Sequence, residues 1–330
     1  MTLARKIGAL AALAAVALAP RGADAEEVLK IGTLAPAASP WGQVFKVWAQ
    51  AVSKKSDGNL ELQFFYNGQQ GDEGAMVAKI RSGQLDGAAV TAVGLSKIYK
   101  PIGALQMPGL FSSWGKLDSA RNALKSQFEK GCEDAGYDLL GWGDVGAVHV
   151  MSKGVEIHAP DDLRGKKPYM WREDVIAPVL YQVIGGVTPV PLNVPEVLPN
   201  LNTGAVNVVT APSLAAEQLQ WSSRLDTIVT DTEAMAVGAL VFSSKRVEDL
   251  PSDLQEVLTE TGKIAAQGLT TRIRNEDAAA FGRLKGKMNV VTLSGDDKSK
   301  WDSVFKQVRQ RLAQGTFPAS LVSKLEGLAK

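Results

Sequence analysis

EVLKIGTLAPAASPWGQVFKVWAQAVSKKSDGNLELQFFYNGQQGDEGAMVAKIRSGQLDGAAVTAVG, residues 27–94, switches its hydrophobic period repeatedly within one short stretch. EVLKIGTLAP reads as a short strand that ends in a turn. WGQVFKVWAQAVSKKSDG then sets Phe45, Trp48, Ala49 and Val52 on one helical face, with Pro40 just ahead of the start and Gly58 after the end. NLELQFFYNG returns to a strand, GDEGAMVAKIRSG to a helix and DGAAVTAVG to a strand. This alternation is the pattern of an α/β layer, parallel strands covered by helices. Ligands of such sheets sit beyond the carboxyl ends of the strands, which directs attention to segments 33–38, 66–71 and 91–94.

On the N-terminal side the chain reads MTLARKIGALAALAAVALAPRGADA. Arg5 and Lys6 precede an apolar, alanine-rich run that closes on Ala23, Asp24 and Ala25, the form of a cleavable signal peptide over residues 1–25. The run is short for a bilayer span and is interrupted by Pro20 and Arg21, so it predicts export to the periplasm and not anchoring. About 305 of the 330 residues remain, enough for two domains. With 36 Lys and Arg against 35 Asp and Glu, the charge gives no support to nucleic-acid binding, which needs a clustered positive footprint. Cys132 is the single cysteine, so no internal disulfide forms. Its place on a helix with Ala120, Leu124 and Phe128 predicts a buried apolar side chain.

On the C-terminal side, residues 102–120 form a loop rich in Gly, Pro and aromatics. YDLLGWGDVGAVHVMSK, residues 137–153, predicts one long apolar strand crossing from a first lobe to a second. DDLRGKKPYMWREDVIAPVLYQVIGG, residues 161–186, follows as an acidic turn, a basic and aromatic strand, and a helix from about Val175 to Ile184 stopped by two glycines. The strand AVNVVTA comes next, then LDTIVTDTEAMAVGALVFSSKRVEDL as two strands in succession, the second returning the chain to the first lobe. Long helices run from Ser252 to about Lys285, and MNVVTLS and two more helices close the chain. The expected architecture is a two-lobed α/β periplasmic binding protein fold, type II-like. Each lobe is a mostly parallel mixed sheet flanked by helices, with crossing strands and a long C-terminal helix bracing the lobes. The first part of lobe I covers residues 26–148, lobe II 149–236, the return to lobe I and its connecting helix 237–275, and the bracing C-terminal segment 276–330. Two crossings leave a cleft whose walls can close on a small molecule.

Enzymatic chemistry finds little material. His149 and His158 lie nine residues apart without HExxH spacing or a cysteine pair, so neither a metal nor a cofactor is expected. GxSxG and GxxxxGK are absent, and His149 on a strand reads as a structural residue, not as the base a catalytic serine would need. The protein is expected not to be an enzyme. Asp144, in GWGDVG, reads as a hydrogen-bond acceptor near the cleft. Trp41, Tyr66, Trp114, Trp142, Tyr169 and Trp171 fall at or beside strand ends and turns, where an aromatic ring covers an apolar ligand at low rotamer cost; Trp48 and Trp301, inside helices, belong to the core.

These pieces resemble the extracytoplasmic solute receptors of tripartite ATP-independent periplasmic (TRAP) transporters, the DctP family. The likeness runs through IGTLAPAASPWG, FYNGQQGDEGAMVAKIRSGQLDGA, LQMPGLF, GYDLLGWGDVGAVHV, DLRGKKP, VTPVPLNVPEVLPNLNTGAVNVV and LVFSSKRVEDLPSDLQ, in that order. The resemblance implies a periplasmic receptor that hands a small-molecule ligand to the small and large integral-membrane subunits of a sodium-coupled permease. We expect it to act as a monomer and to bind no nucleic acid.

Members of that family usually bind organic acids through an arginine in the strand after the DL-basic-G segment. That position is Tyr169 here, or Met170 if the register shifts by one. A second arginine of the family falls at Val148, its acidic residue at Asn207, and its Glu-Asn pair at Thr210 and Ala211 before Pro212. A buried carboxylate without a cation loses its solvation uncompensated, so these departures predict a small neutral or largely apolar, aromatic ligand. Arg172 carries the alternative, an organic acid held by that side chain if it turns inward. An alternative of another class is a non-transporting sensor or scaffold protein. The first lobe nominates Thr33, Trp41, Gln70, Thr91 and Trp114 for the cleft, the crossing strand Asp144 and Val148, and the second lobe Tyr169, Trp171, Arg172, Asn207 and Ser213.

Overall fold

A computed structural model describes residues 27–330; the signal-peptide reading of residues 1–25 lies outside them. The opening stretch forms β1 (Glu27–Thr33), α1 (Pro40–Lys55), β2 (Leu60–Phe65), α2 (Glu73–Arg81), β3 (Gly87–Thr91) and α3 (Ala92–Ile98). β1 runs parallel to β2 on one side and to β3 on the other. Pro40 opens α1 where its missing N–H costs nothing, and the Ser39 side chain accepts from the Gly42 N–H. Phe45, Trp48 and Val52 are buried on its inner face.

The chain continues through α4 (Trp114–Ala123), α5 (Lys125–Glu133), β4 (Tyr137–Trp142) and β5 (Gly146–Ser152). The helix expected to carry Ala120 to Cys132 is thus two helices that meet at Leu124. Cys132 is fully buried, and burial pushes its thiol up to about 12. Next come β6 (Tyr169–Trp171), α6 (Ala177–Ile184), β7 (Val190–Leu192), α7 (Val194–Thr203), β8 (Val208–Pro212), α8 (Ser213–Gln218), β9 (Thr227–Val229), β10 (Ala234–Ala236) and β11 (Gly238–Ser243). After α9 (Ser244–Glu248), the chain ends in α10 (Ser252–Lys285), β12 (Asn289–Val291), α11 (Gly295–Leu312) and α12 (Ala319–Leu328).

One five-stranded sheet has the order β2-β1-β3-β11-β4. The other runs β10-β5-β9-β12, with β8 on the opposite edge of β5. β6 and β7 pair in parallel beside it, tied to β8 by a bridge between Pro168 and Val208. The crossing segment 137–153 is not the single strand expected. β4 belongs to the first sheet and β5 to the second, and the break between them holds Asp144, whose carboxylate is fully buried between Arg121 and Arg274. Gly146 follows at φ +140°, with a Cβ position only 2.5 Å from the Asp277 carboxyl, so no other residue fits there. The return crossing, at Val237, separates β10 from β11; the segment read as two strands is therefore three, β9, β10 and β11.

α10 has 34 residues, about 50 Å of helix, and packs on α1 and β4 of the first lobe and on β5 and α8 of the second. Trp48 donates to Thr261 Oγ1 (3.0 Å), and Asp277 accepts from the N–H groups of Ala147 (2.8 Å) and Leu214 (2.9 Å). Phe281 stacks on His149 at 4.2 Å, and Nδ1 of that histidine lies 3.2 Å from the Val229 carbonyl, which makes His149 a packing residue. α11 rests on α6 of the second lobe and α12 on α4 of the first. Trp301 is buried in α11.

Candidate functional site

Between the carboxyl ends of the first sheet and the facing wall of the second lies a cavity of about 230 Å³. Six of the nominated residues line it: Thr33, Trp41, Thr91, Val148, Tyr169 and Trp171. Thr33 closes β1 and its Oγ1 accepts from the Ala35 N–H (3.1 Å). Trp41 stands in the first turn of α1, its indole N–H 3.4 Å from the Asp144 carbonyl. Thr91 caps α3 and is held by Glu73, whose carboxyl oxygens accept from the Thr91 N–H (2.8 Å), the Thr91 hydroxyl (2.9 Å) and the Gly94 N–H (2.7 Å). Burial pushes the Glu73 carboxyl up to about 8 despite those donors.

The other six lie outside the cavity wall. Gln70 accepts from Lys79 on its own lobe (2.9 Å). Trp114 lies under the Arg274 guanidinium, 4.5 Å from its ring centre. The Asp144 carboxylate is consumed by its two arginines, although its carbonyl holds Trp41. Arg172 is half exposed and pairs with Glu196 at 3.0 Å. Asn207 accepts from the Lys167 N–H (2.9 Å) and so fixes the strand pairing beside it. Ser213 starts α8 fully buried, its hydroxyl without a hydrogen-bond partner.

Three titratable groups on the wall, Tyr181, Asp174 and Glu233, escaped the sequence reading, and the nominated Tyr169 has surroundings that it did not foresee. Tyr169 buries a hydroxyl that has no hydrogen-bond partner, and its ring packs edge-on against Trp221, another wall residue. Tyr181 donates to the Tyr169 carbonyl (3.3 Å), and burial raises its phenol above the ordinary value. Asp174 accepts from the Ile176 N–H (2.7 Å) at the entry to α6, and burial raises its carboxyl. Glu233 precedes β10, and burial together with the nearby Asp174 charge pushes it up to about 7. No Lys, Arg or His side chain stands among the lining residues. Asp174 had a readable signal, an acid just ahead of a helix; Glu233, in an irregular turn, had none.

The two lobes are also joined across the cleft. Asp72, at the N-terminus of α2, accepts from the Trp171 indole N–H (3.0 Å) and the Val194 N–H (3.2 Å). Lys97 of α3 pairs with Glu173 of the second lobe at 3.3 Å. Trp171 therefore both lines the cavity and fastens it shut.

Two mixed sheets joined by paired crossings, braced by one long helix and closed over a largely apolar cavity, define a two-lobed binding protein. Residues 31–315 match the DctP family, bacterial extracellular solute-binding protein family 7, and the chain belongs to that family. A solute-binding protein of Verminephrobacter eiseniae is 22% identical over 304 residues, 91% of this chain and 89% of that one. One from Chromohalobacter salexigens is 24% identical over 173 residues, which span about half of each, 52% of this chain and 51% of that protein. Among solved structures, a TRAP periplasmic solute-binding protein from Ralstonia eutropha H16 with bound (S)-2-acetolactate superposes with a TM-score of 0.85 at 19% identity, over 92% of this chain and 98% of that one. One from Sulfurospirillum deleyianum with bound succinate gives 0.85 at 17% identity, over 92% and 99%. The sugar acid binding protein from Advenella mimigardefordensis, in complex with galactonate, gives 0.85 at 19%, over 92% and 97%. Proteins of this family bind solutes for transport and are not catalysts.

Proposed function

We propose that this protein is the periplasmic receptor of a TRAP transporter and encloses a small neutral or largely apolar, aromatic ligand for delivery to the membrane permease. One observation carries the ligand class: the cavity wall has no cationic side chain. A carboxylate moved from water into such a cavity loses solvation worth several kcal/mol and gains no charge-assisted bond in return. Asp174 and Glu233 add like charge against it. The solved relatives that carry acetolactate, succinate and galactonate support the transport role of the fold. Tyr169 and Val148 line the cavity at the positions where the family resemblance expects arginine, and this supports a different ligand chemistry.

The organic-acid reading needs Arg172 to leave Glu196 and turn inward from a half-exposed position. Calorimetry with small dicarboxylates, keto acids and sugar acids is expected to find no tight binder, in wild type or in Arg172→Ala. Submicromolar binding of one of these acids, lost in Arg172→Ala, would overturn the proposal.

A further inference from the structure

The cavity wall carries carboxyl groups that no side chain around them neutralises. Glu233 is placed from both sides of its own backbone, its N–H donating to the Val148 carbonyl (2.9 Å) and its carbonyl accepting from the Gly109 N–H (2.8 Å). Its carboxyl has neither a hydrogen-bond partner nor an ion pair among the described residues. The groups around it offer no relief: Asp174 brings a second acid to the same wall, Tyr181 spends its proton on the Tyr169 carbonyl, and the neighbouring Lys298 is taken by Asp231 at 2.9 Å. An unpaired carboxylate in an apolar site is costly. Proteins pair such groups; Glu233 borders both this cavity and a smaller one toward Lys298 and Trp301, and of the two the larger has no cation on its wall.

Two further features of the wall favour the same partner. Trp41, Tyr169, Trp171, Tyr181 and Trp221 contribute to it, and the faces of such rings attract cations when water is excluded. The buried Tyr169 hydroxyl is also unpartnered. The volume of about 230 Å³ lies below the roughly 300–1,000 Å³ of sites for drug-sized molecules, which suits one ring and a short chain. Resting on the reading of this cavity as the site of a largely apolar ligand, we propose that the ligand is an organic amine, with a protonated nitrogen set on the Glu233 carboxylate and an apolar or aromatic body filling the remainder.

The test is calorimetric titration of the protein, refolded to strip any ligand carried through purification, with three matched probe series of graded chain length. These are arylalkylamines beginning with phenethylamine, the corresponding alcohols, and the corresponding carboxylates. At least one amine is expected to bind tenfold or more tighter than its alcohol. Glu233→Gln, checked for folding by thermal melting, is expected to lose that preference while keeping the alcohol affinity. Equal affinity for amine and alcohol, an unchanged preference in Glu233→Gln, or no amine binding overturns the inference. Binding of alcohols alone leaves the function proposed above standing and removes only the amine; binding of the carboxylates alone removes both.

Discussion

Glu233 loses water on folding and gains no donor, and its carboxyl moves from the ordinary 4.5 up to about 7. Between those values the folded chain holds a proton that the unfolded chain has released, so stability falls as the pH rises. The contribution is intact below about 4.5 and lost above about 7. Asp277, pushed up to about 6 by burial, and Glu73, pushed up to about 8, act with the same sign. The difference between wild type and Glu233→Gln isolates the one group. Urea unfolding without ligand is expected to show near-equal stability at pH 4 and a variant more stable by about 2 kcal/mol at pH 8, after discounting the shift for the partly open setting of the group. Equal stabilities at both pH values would contradict an unpaired Glu233. At the same scale, Arg172→Ala is expected to change stability by less than about 1 kcal/mol, as for other exposed ion pairs, and the same unfolding assay checks it.

At the scale of elements, the crossing between β4 and β5 depends on Asp144. Arg121 of α4 and Arg274 of α10 hold its carboxylate at 2.7 and 2.6 Å, and Asp118 pairs with both arginines. Arg274 lies over the Trp114 ring and Arg121 over Trp142. The network ties a first-lobe helix, the crossing and the long helix at one point. Asp144→Ala leaves two guanidinium groups with Asp118 alone, and removal of one partner from a buried ion pair costs about 3–5 kcal/mol. A loss near the lower end is expected in denaturant titration, because Asp118 remains. A loss below about 1 kcal/mol would mean that the arginines find water instead. The same residue explains why 137–153 read as one strand: its apolar period continues across GWGDVG, and the buried charge that interrupts it has its partners 23 residues back and 130 residues ahead.

At the scale of the molecule, closure of the lobes is carried by few bonds. Asp72 takes two donors from the second lobe, and Lys97 pairs with Glu173 across the gap. Trp171→Phe keeps a ring in the wall but removes the indole N–H; a single hydrogen bond to a charged group contributes about 1.5 kcal/mol at the lower end, roughly tenfold in an equilibrium constant. Ligand dissociation in stopped-flow measurements is expected to quicken by up to about tenfold, with X-ray scattering reporting a larger population of open molecules without ligand. Unchanged dissociation would place closure elsewhere.

Local information sufficed where the deciding interactions are local. The strand and helix alternation of residues 27–94, the burial of Trp48, Cys132 and Trp301, and the structural character of His149 all follow from period, capping and composition. Half of the nominated site residues reach the cavity: Thr33, Thr91 and Trp171 close strands, Trp41 stands in the first turn of the helix after β1, and Val148 and Tyr169 lie inside β5 and at the start of β6. The rest was decided by groups far apart in the chain. Arg172 pairs with Glu196, Asp144 with Arg121 and Arg274, and Trp171 reaches Asp72, 99 residues away, across the cleft. The acidic character of the wall arises only when the turn carrying Glu233 folds beside Asp174, on a wall whose lining residues include no Lys, Arg or His. A sequence displays charges one at a time, whereas desolvation and pairing, which give those charges their effect, exist only once the chain has closed around them.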